Sequence, residues 1–188
     1  MAQKPSVFLE GNMHFFKIPP SALSKNDFIA QFKAIYEKSP WVADEATKLG
    51  VTSDADTAEG LSEILKAVVD RASQARKLSL LRSHPELGGK LRATHELTES
   101  SRDEQKSAGL DLCSPKEVER FKSLNEQYNR RFDFPFILAV TGYTRADILE
   151  VFANRLKNDY SIEFYEALRQ VHKIALIRLR ELAKKEES

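Results

Sequence analysis

His84 stands immediately before Pro85. Proline disfavours the α conformation in the residue before it, so His84 is expected at or just past a helix end. The negative end of a helix favours the protonated imidazole, and a histidine titrating near neutral pH suits acid–base work. A histidine that only caps the helix fits the same position. Ser101 and Glu104 are three residues apart and would project from one helix face, with Ser101 in the first turn, where free N–H groups can hold an anion. Small polar and acidic residues also gather there simply to complement the helix dipole. Arg178 is more telling. Val171, Ile174, Ala175 and Leu182 lie at −7, −4, −3 and +4 from it, so it sits inside an apolar stripe that should face the core. A guanidinium there requires a partner, either a structural carboxylate or an anionic ligand. Arg169 and Arg180 fall on other faces and read as solvated charge. The aromatic run Phe132-Asp133-Phe134-Pro135-Phe136 reads as core packing. If the stretch from Phe136 through Ile137, Leu138 and Ala139 to Val140 is extended and lacks a partner strand, it has backbone groups to offer a polar ligand.

Other chemistries find less support. The four histidines, His14, His84, His95 and His172, have no ligand spacing between them, and no metal site is expected. Leu87-Gly88-Gly89-Lys90-Leu91 lacks the first glycine and the final Ser/Thr of a phosphate loop and follows a helix, not a strand. The single cysteine, Cys113, sits before the helix start Ser114-Pro115, where a thiol pKa could fall, but nothing else marks it as a nucleophile. A lone cysteine suits a reducing compartment, and the cytoplasm is the expected location. The N-terminus shows no signal-peptide core, and the C-terminus no Ser-Lys-Leu ending. With Lys plus Arg at 29 and Asp plus Glu at 28, the net charge is +1, which argues against nucleic-acid or membrane-surface partners. No apolar run is long enough to span a bilayer.

The elements that must position these residues are helical. Residues 1–20 read as an irregular arm. Ser24 with Asp27 opens a helix whose stripe is Phe28, Phe32, Ile35 and Tyr36. A second helix starts at Ser39-Pro40 and ends at Gly50. Leu61, Ile64, Leu65 and Val68 define a third, and Leu78 and Leu81 carry a fourth into His84. Thr98 should cap a helix over Glu99 to Ser107, closed by Gly109. Ser114-Pro115-x-Glu117 starts one running to about Arg131, Thr144 caps another, and the last spans about Ile162 to Lys184. Phe134 to Val140 lacks helical periodicity and is expected as a buried extended segment. The fold expectation is all-α: a single-domain bundle of about seven to nine helices over residues 1–188.

Taken together these residues resemble the 2-oxo-4-hydroxy-4-carboxy-5-ureidoimidazoline (OHCU) decarboxylases. The resemblance runs through His84-Pro85-Glu86-Leu87-Gly88-Gly89-Lys90, the Leu97 to Leu110 block with Ser101, Glu104, Gln105, Ala108 and Gly109, then Leu124-Asn125 and Tyr128. It continues through Phe132-x-Phe134-Pro135-Phe136, Arg155-Leu156-x-Asn158 and Ile174 to Leu179. It covers about 160 residues, and the combination is specific although no single piece is. Asp133 stands where the family usually has Gly, and Glu86 where Asp is common.

The resemblance implies loss of CO2 from a carbon bearing hydroxyl and carboxylate, giving (S)-allantoin, the last step from urate to allantoin. The substrate's own C=N can take the electrons, so no cofactor is expected. It also implies a homodimer. By the same resemblance His84 is the catalytic histidine, an acid/base at the substrate hydroxyl, with Glu104 orienting it or bonding that hydroxyl. Arg178 would hold anionic or carbonyl oxygen, and Ser101 and Gln105 would position ureido and ring groups. Pro85, Arg102, Asp103 and the backbone of Phe136 to Val140 complete the expected substrate contacts. Two alternatives stay open: a non-catalytic helical binding module with Arg178–Glu104 as a structural ion pair, and a lyase of the same fold acting on a related ureide. The catalytic reading requires imidazole, carboxylate and guanidinium from three helices to meet around one small void beside the Phe-Pro-Phe stretch.

Overall fold

The computed structural model describes residues 13–88 and 98–187. Residues 1–12 of the arm lie outside them, as do Gly89, Lys90, His95 and Leu97. Eight α-helices occur among the described residues: α1 (Lys25–Phe32), α2 (Trp41–Leu49), α3 (Ala58–Arg71), α4 (Gln74–Arg82), α5 (Glu99–Ser107), α6 (Pro115–Phe132), α7 (Arg145–Arg155) and α8 (Tyr160–Glu187). Single 3-10 turns lie at Pro20–Ala22, Ser53–Asp56 and Leu110–Leu112. The one β feature among those residues is an isolated bridge between Phe15 and Thr57, which ties the end of the arm to the start of α3. The all-α expectation holds.

Local chemistry explains the helix starts. The hydroxyls of Ser24, Thr57, Ser73, Thr98, Ser114 and Thr144 each accept from the backbone N–H three residues on. Ser114/Glu117 and Thr144/Asp147 form full capping boxes. The end of α1 differs from the sequence reading. The helix stops at Phe32, and Ile35 and Tyr36 stay buried through the turns that follow. Their burial is tertiary, so the stripe outlasts the helix.

The long α8 packs along α3, α4 and α6, with Phe164, Ala167, Val171, Ala175 and Leu179 buried. Residues 134–140 lie outside any helix, as the lack of helical periodicity implied, and all but the half-buried Ala139 are buried. Tyr128, Phe132, Phe134, Phe136, Phe152 and Phe164 pack around this segment, and Phe136 stacks on Phe152 at 3.8 Å. Asp133 ends α6 with φ +60°, a left-handed conformation that glycine adopts without strain. Arg82 compensates by pairing with the Asp133 carboxylate and donating to its carbonyl at 2.9 Å.

Candidate active site

Two neighbours of His84 fix its position. Its backbone N–H donates to Leu81 at 3.2 Å, and its Nδ1 lies 3.0 Å from the Leu80 carbonyl. A carbonyl only accepts, so Nδ1 carries the proton and Nε2 keeps its lone pair. Burial pushes the imidazole down to about 4, against smaller opposing contributions from the Leu80 carbonyl and Glu37. His84 is therefore neutral at pH 7. This corrects the expectation drawn from the helix end, because desolvation outweighs the dipole. The residues after Pro85 are braced from behind. Gln105 accepts from Gly88 N–H at 3.3 Å and donates to the Glu86 carbonyl at 3.2 Å, while Asn125 donates to the Leu87 carbonyl at 3.0 Å. Asn129 donates to the Glu86 carboxylate at 2.6 Å. Gly88 has φ +63°, and a Cβ there would lie 2.8 Å from the Phe121 ring, so no larger residue fits without displacing it.

Arg178 is 6% exposed, and the carboxylate it needs is present twice over. Glu104 takes a two-pronged contact, 2.6 Å from Nε and 3.1 Å from Nη2. Glu37 takes Nη1 at 3.1 Å, and the Ile35 carbonyl lies 3.3 Å from the same nitrogen. Ser101 Oγ accepts from Arg178 Nη2 at 3.2 Å and donates to Glu37 at 2.9 Å. Burial raises the Glu104 carboxyl above its usual range, with Arg178 partly opposing. Burial works against the Arg178 charge, but Glu104 and Glu37 more than restore it.

His84, Ser101, Glu104 and Arg178 line one cavity of about 30 Å³, together with Pro85, Leu87, Gln105, Phe136, Ile137, Leu138, Val140 and Ile174. The segment after Pro135 contributes Phe136, Ile137, Leu138 and Val140. The Ile137 carbonyl accepts from Arg155 at 2.7 Å and Ala139 N–H donates to Gln170 at 3.1 Å, and neither Arg155 nor Gln170 lines the cavity. The peptide bond is trans, so the Leu138 N–H points opposite to the Ile137 carbonyl that Arg155 holds, and neither it nor the Val140 N–H has a hydrogen-bond partner among the described residues.

The structure thus brings together most of the expected site and leaves some of it out. Arg102 and Asp103 are exposed and off the cavity, because residues one and two positions beyond Ser101 turn to other helix faces. Ala139 lines a smaller neighbouring pocket that shares Glu104, Leu138, Val140 and Ile174 with the cavity. Glu104 makes its contacts to Arg178, and the group that orients His84 is the Leu80 carbonyl. Both ends of the Gln105 amide are engaged by backbone. Burial raises the Cys113 thiol pKa, which keeps it protonated at pH 7. Arg169 is exposed beside Glu166, whereas Arg180 is not simply solvated but pairs with Glu59 at 2.8 Å. Among the described residues no group of acidic, histidine and cysteine side chains could hold a metal ion. Sequence reasoning missed Leu87, Ile174 and, above all, Glu37. The apolar stripe of α8 marks Ile174, but no local pattern marks Glu37.

The family profile described as OHCU decarboxylase matches residues 21–180. The chain belongs to the OHCU decarboxylase family. A 2-oxo-4-hydroxy-4-carboxy-5-ureidoimidazoline decarboxylase from Haloferax volcanii is 40% identical over 159 residues, 85% of this chain and 90% of that protein. One from Halalkalicoccus jeotgali is 39% identical over 158 residues, 84% of this chain and 86% of the other. A crystal structure of (S)-allantoin synthase superposes with a TM-score of 0.68 at 32% identity, covering 87% of this chain and 52% of that longer one. Within this family fold, the imidazole, the carboxylate and the guanidinium meet at a single cavity.

Proposed function

We propose that this chain decarboxylates OHCU to (S)-allantoin and CO2 without a cofactor, using His84 as the proton-transferring residue. The observation that carries this reading is the convergence of a neutral imidazole, the Glu104 carboxyl and Arg178 on one cavity. As the bond to the departing CO2 breaks, its electron pair forms a ring C=C. The adjacent C=N shifts its π electrons onto nitrogen, which takes up a proton. His84 Nε2, holding a free lone pair, then accepts the hydroxyl proton as the enol collapses to the carbonyl. Delivery of a proton to one face of the neighbouring carbon gives the handed product. Arg178 and Ser101 hold anionic and carbonyl oxygens, and the N–H groups of Leu138 and Val140 receive ring or ureido carbonyls. General acid–base help of this kind is worth about 10²–10⁴-fold.

A cavity of about 30 Å³ has room for roughly one water. A five-membered ring carrying carboxylate and ureido groups needs several times that volume, so entry of substrate requires the lining to shift. Glu104 is 23% exposed at its side chain against 6% for Arg178 and is the charged lining group best able to move. We read residues 1–188 as one domain of this family, acting as a homodimer in the cytoplasm. The family resemblance supports the dimer, and the lone Cys113 fits a reducing compartment. The test is to supply freshly generated OHCU and follow allantoin by circular dichroism. Accelerated formation of one enantiomer is expected, and a rate equal to spontaneous decay would refute the proposal.

A further inference from the structure

Arg178 is a single buried cation facing two carboxylates, and the two are held very differently. Glu37 is 2% exposed and off the cavity, in the turn between α1 and α2. One of its oxygens, Oε2, receives Arg178 Nη1 at 3.1 Å, Ser101 Oγ at 2.9 Å and Thr98 Oγ1 at 3.2 Å. Its backbone carbonyl accepts from Ser83 Oγ at 2.8 Å, one residue before His84. The neighbouring residues are anchored too. The Ile35 carbonyl touches Arg178, Tyr36 OH bonds His172 on α8 at 2.8 Å, and Lys38 turns the chain with φ +45°. Glu37 thereby joins the end of α4, the first turn of α5 and the middle of α8. These are the three places that supply His84, Ser101 and Arg178. Among the described residues Glu104 pairs with Arg178 alone, and it borders the cavity.

We propose that Glu37 is a positioning residue of this active site: the fixed counter-charge that holds Arg178 and Ser101 in place and so leaves Glu104 as the carboxyl that can exchange its arginine contact for the substrate. This rests on the OHCU reading of the cavity. A carboxylate bound by three donors on a rigid turn loses all of them if it moves, whereas Glu104 can swing toward solvent while Glu37 keeps Arg178 paired. The charged and titratable groups that act on this cluster are Arg178 on α8, Glu104 on α5, Glu181 beside Glu104, and His84 after α4. Glu37 raises the pKa of both His84 and Glu104 through its charge.

Wild-type, Glu37→Gln and Glu37→Asp proteins with matching far-UV spectra would be assayed with freshly generated OHCU across pH. Glu37→Gln keeps the shape but removes the charge. Its kcat is expected to fall about 10–100-fold, the scale of a small misplacement of catalytic groups. Its whole kcat/KM profile should move to lower pH, because both His84 and Glu104 lose an anion that favours their protonated forms. Glu37→Asp keeps the charge on a shorter arm, so its kcat should fall while its profile stays at the wild-type position. If Glu37→Gln does not fold, the Asp variant alone decides: a displaced profile or an unchanged kcat overturns the proposal. Wild-type kcat and pH profile in Glu37→Gln would overturn it as well. An inactive wild-type protein would instead overturn the OHCU reading, so the two failures are separable.

Discussion

Arg155 and Arg178 are both buried and both paired with carboxylates, but it is Arg178 that lines the cavity with His84. Arg155 donates from Nε at 2.8 Å and from Nη2 at 2.5 Å to one oxygen of Glu163, which is fully buried. Tyr128 donates its hydroxyl to the same oxygen, Asn158 reaches the other at 2.7 Å, and Arg155 also holds the Ile137 carbonyl and lies 4.6 Å above the Phe136 ring. One cation meets one anion, and the anion's oxygens are both engaged. Around Arg178 one cation meets two anions, and the more exposed of them lines open space. The first network fixes the segment after Pro135 from behind, and the second faces what that segment encloses. A buried ion pair is thus a strut where every partner is protein, and a site where one partner can be exchanged.

The sharpest test of that contrast is a pair of isosteric changes. Glu163→Gln leaves Arg155 buried without a counter-charge and is expected to lower unfolding free energy by about 3–5 kcal/mol in urea titrations. Glu104→Gln leaves Arg178 paired to Glu37 and should cost about 1 kcal/mol or less, while OHCU turnover falls about 10²-fold. Equal destabilisation by both changes would make the two networks equivalent and favour the binding-module reading.

The histidines extend the comparison to pH. Burial pushes His84 and His172 each down to about 4 from an ordinary 6.5. Both are neutral when folded, so their full contribution to stability is present above about pH 6.5. That contribution is lost as pH falls toward 4, because the unfolded chain binds the protons first. The loss is on the order of 3 kcal/mol for each imidazole. Chemical denaturation of His172→Gln against wild type at pH 7 and pH 4.5 should show a smaller drop in the variant. A parallel drop would mean that His172 is protonated in the fold.

The smallest expected effect is at Asp133, which is largely exposed and paired with Arg82. Asp133→Gly removes a left-handed aspartate but also that surface pair, and the two should offset to within about 1 kcal/mol in Tm-derived stability. A larger loss would show that Arg82–Asp133 holds the end of α6 more firmly than a surface pair does.

The sequence carries the helix starts openly, because a cap is local: Thr98, Ser114 and Thr144 each announce a turn built from residues three apart. Arg178 is legible for a related reason, since a charge at helical spacing inside an apolar stripe must be buried. Glu163 lies on that stripe with Phe164, Ala167 and Val171 and is buried with them, but its place at the helix start makes it resemble an ordinary first-turn acid. Glu37 leaves no such trace. Its burial is created by α4, α5 and α8 together, none of them near it in the chain. The neutrality of His84 is hidden likewise, because desolvation depends on what packs around the ring and not on the helix that precedes it.

Turnover depends most on the free Nε2 of a neutral His84 taking the substrate's hydroxyl proton. The direct measurement is single-turnover decarboxylation of freshly generated OHCU at pH 7 by wild type and by His84→Asn, with thermal melting as the control for folding. The rate is expected to fall about 10²–10⁴-fold in the variant while the fold is retained. A folded His84→Asn protein that releases CO2 at the wild-type rate would contradict it.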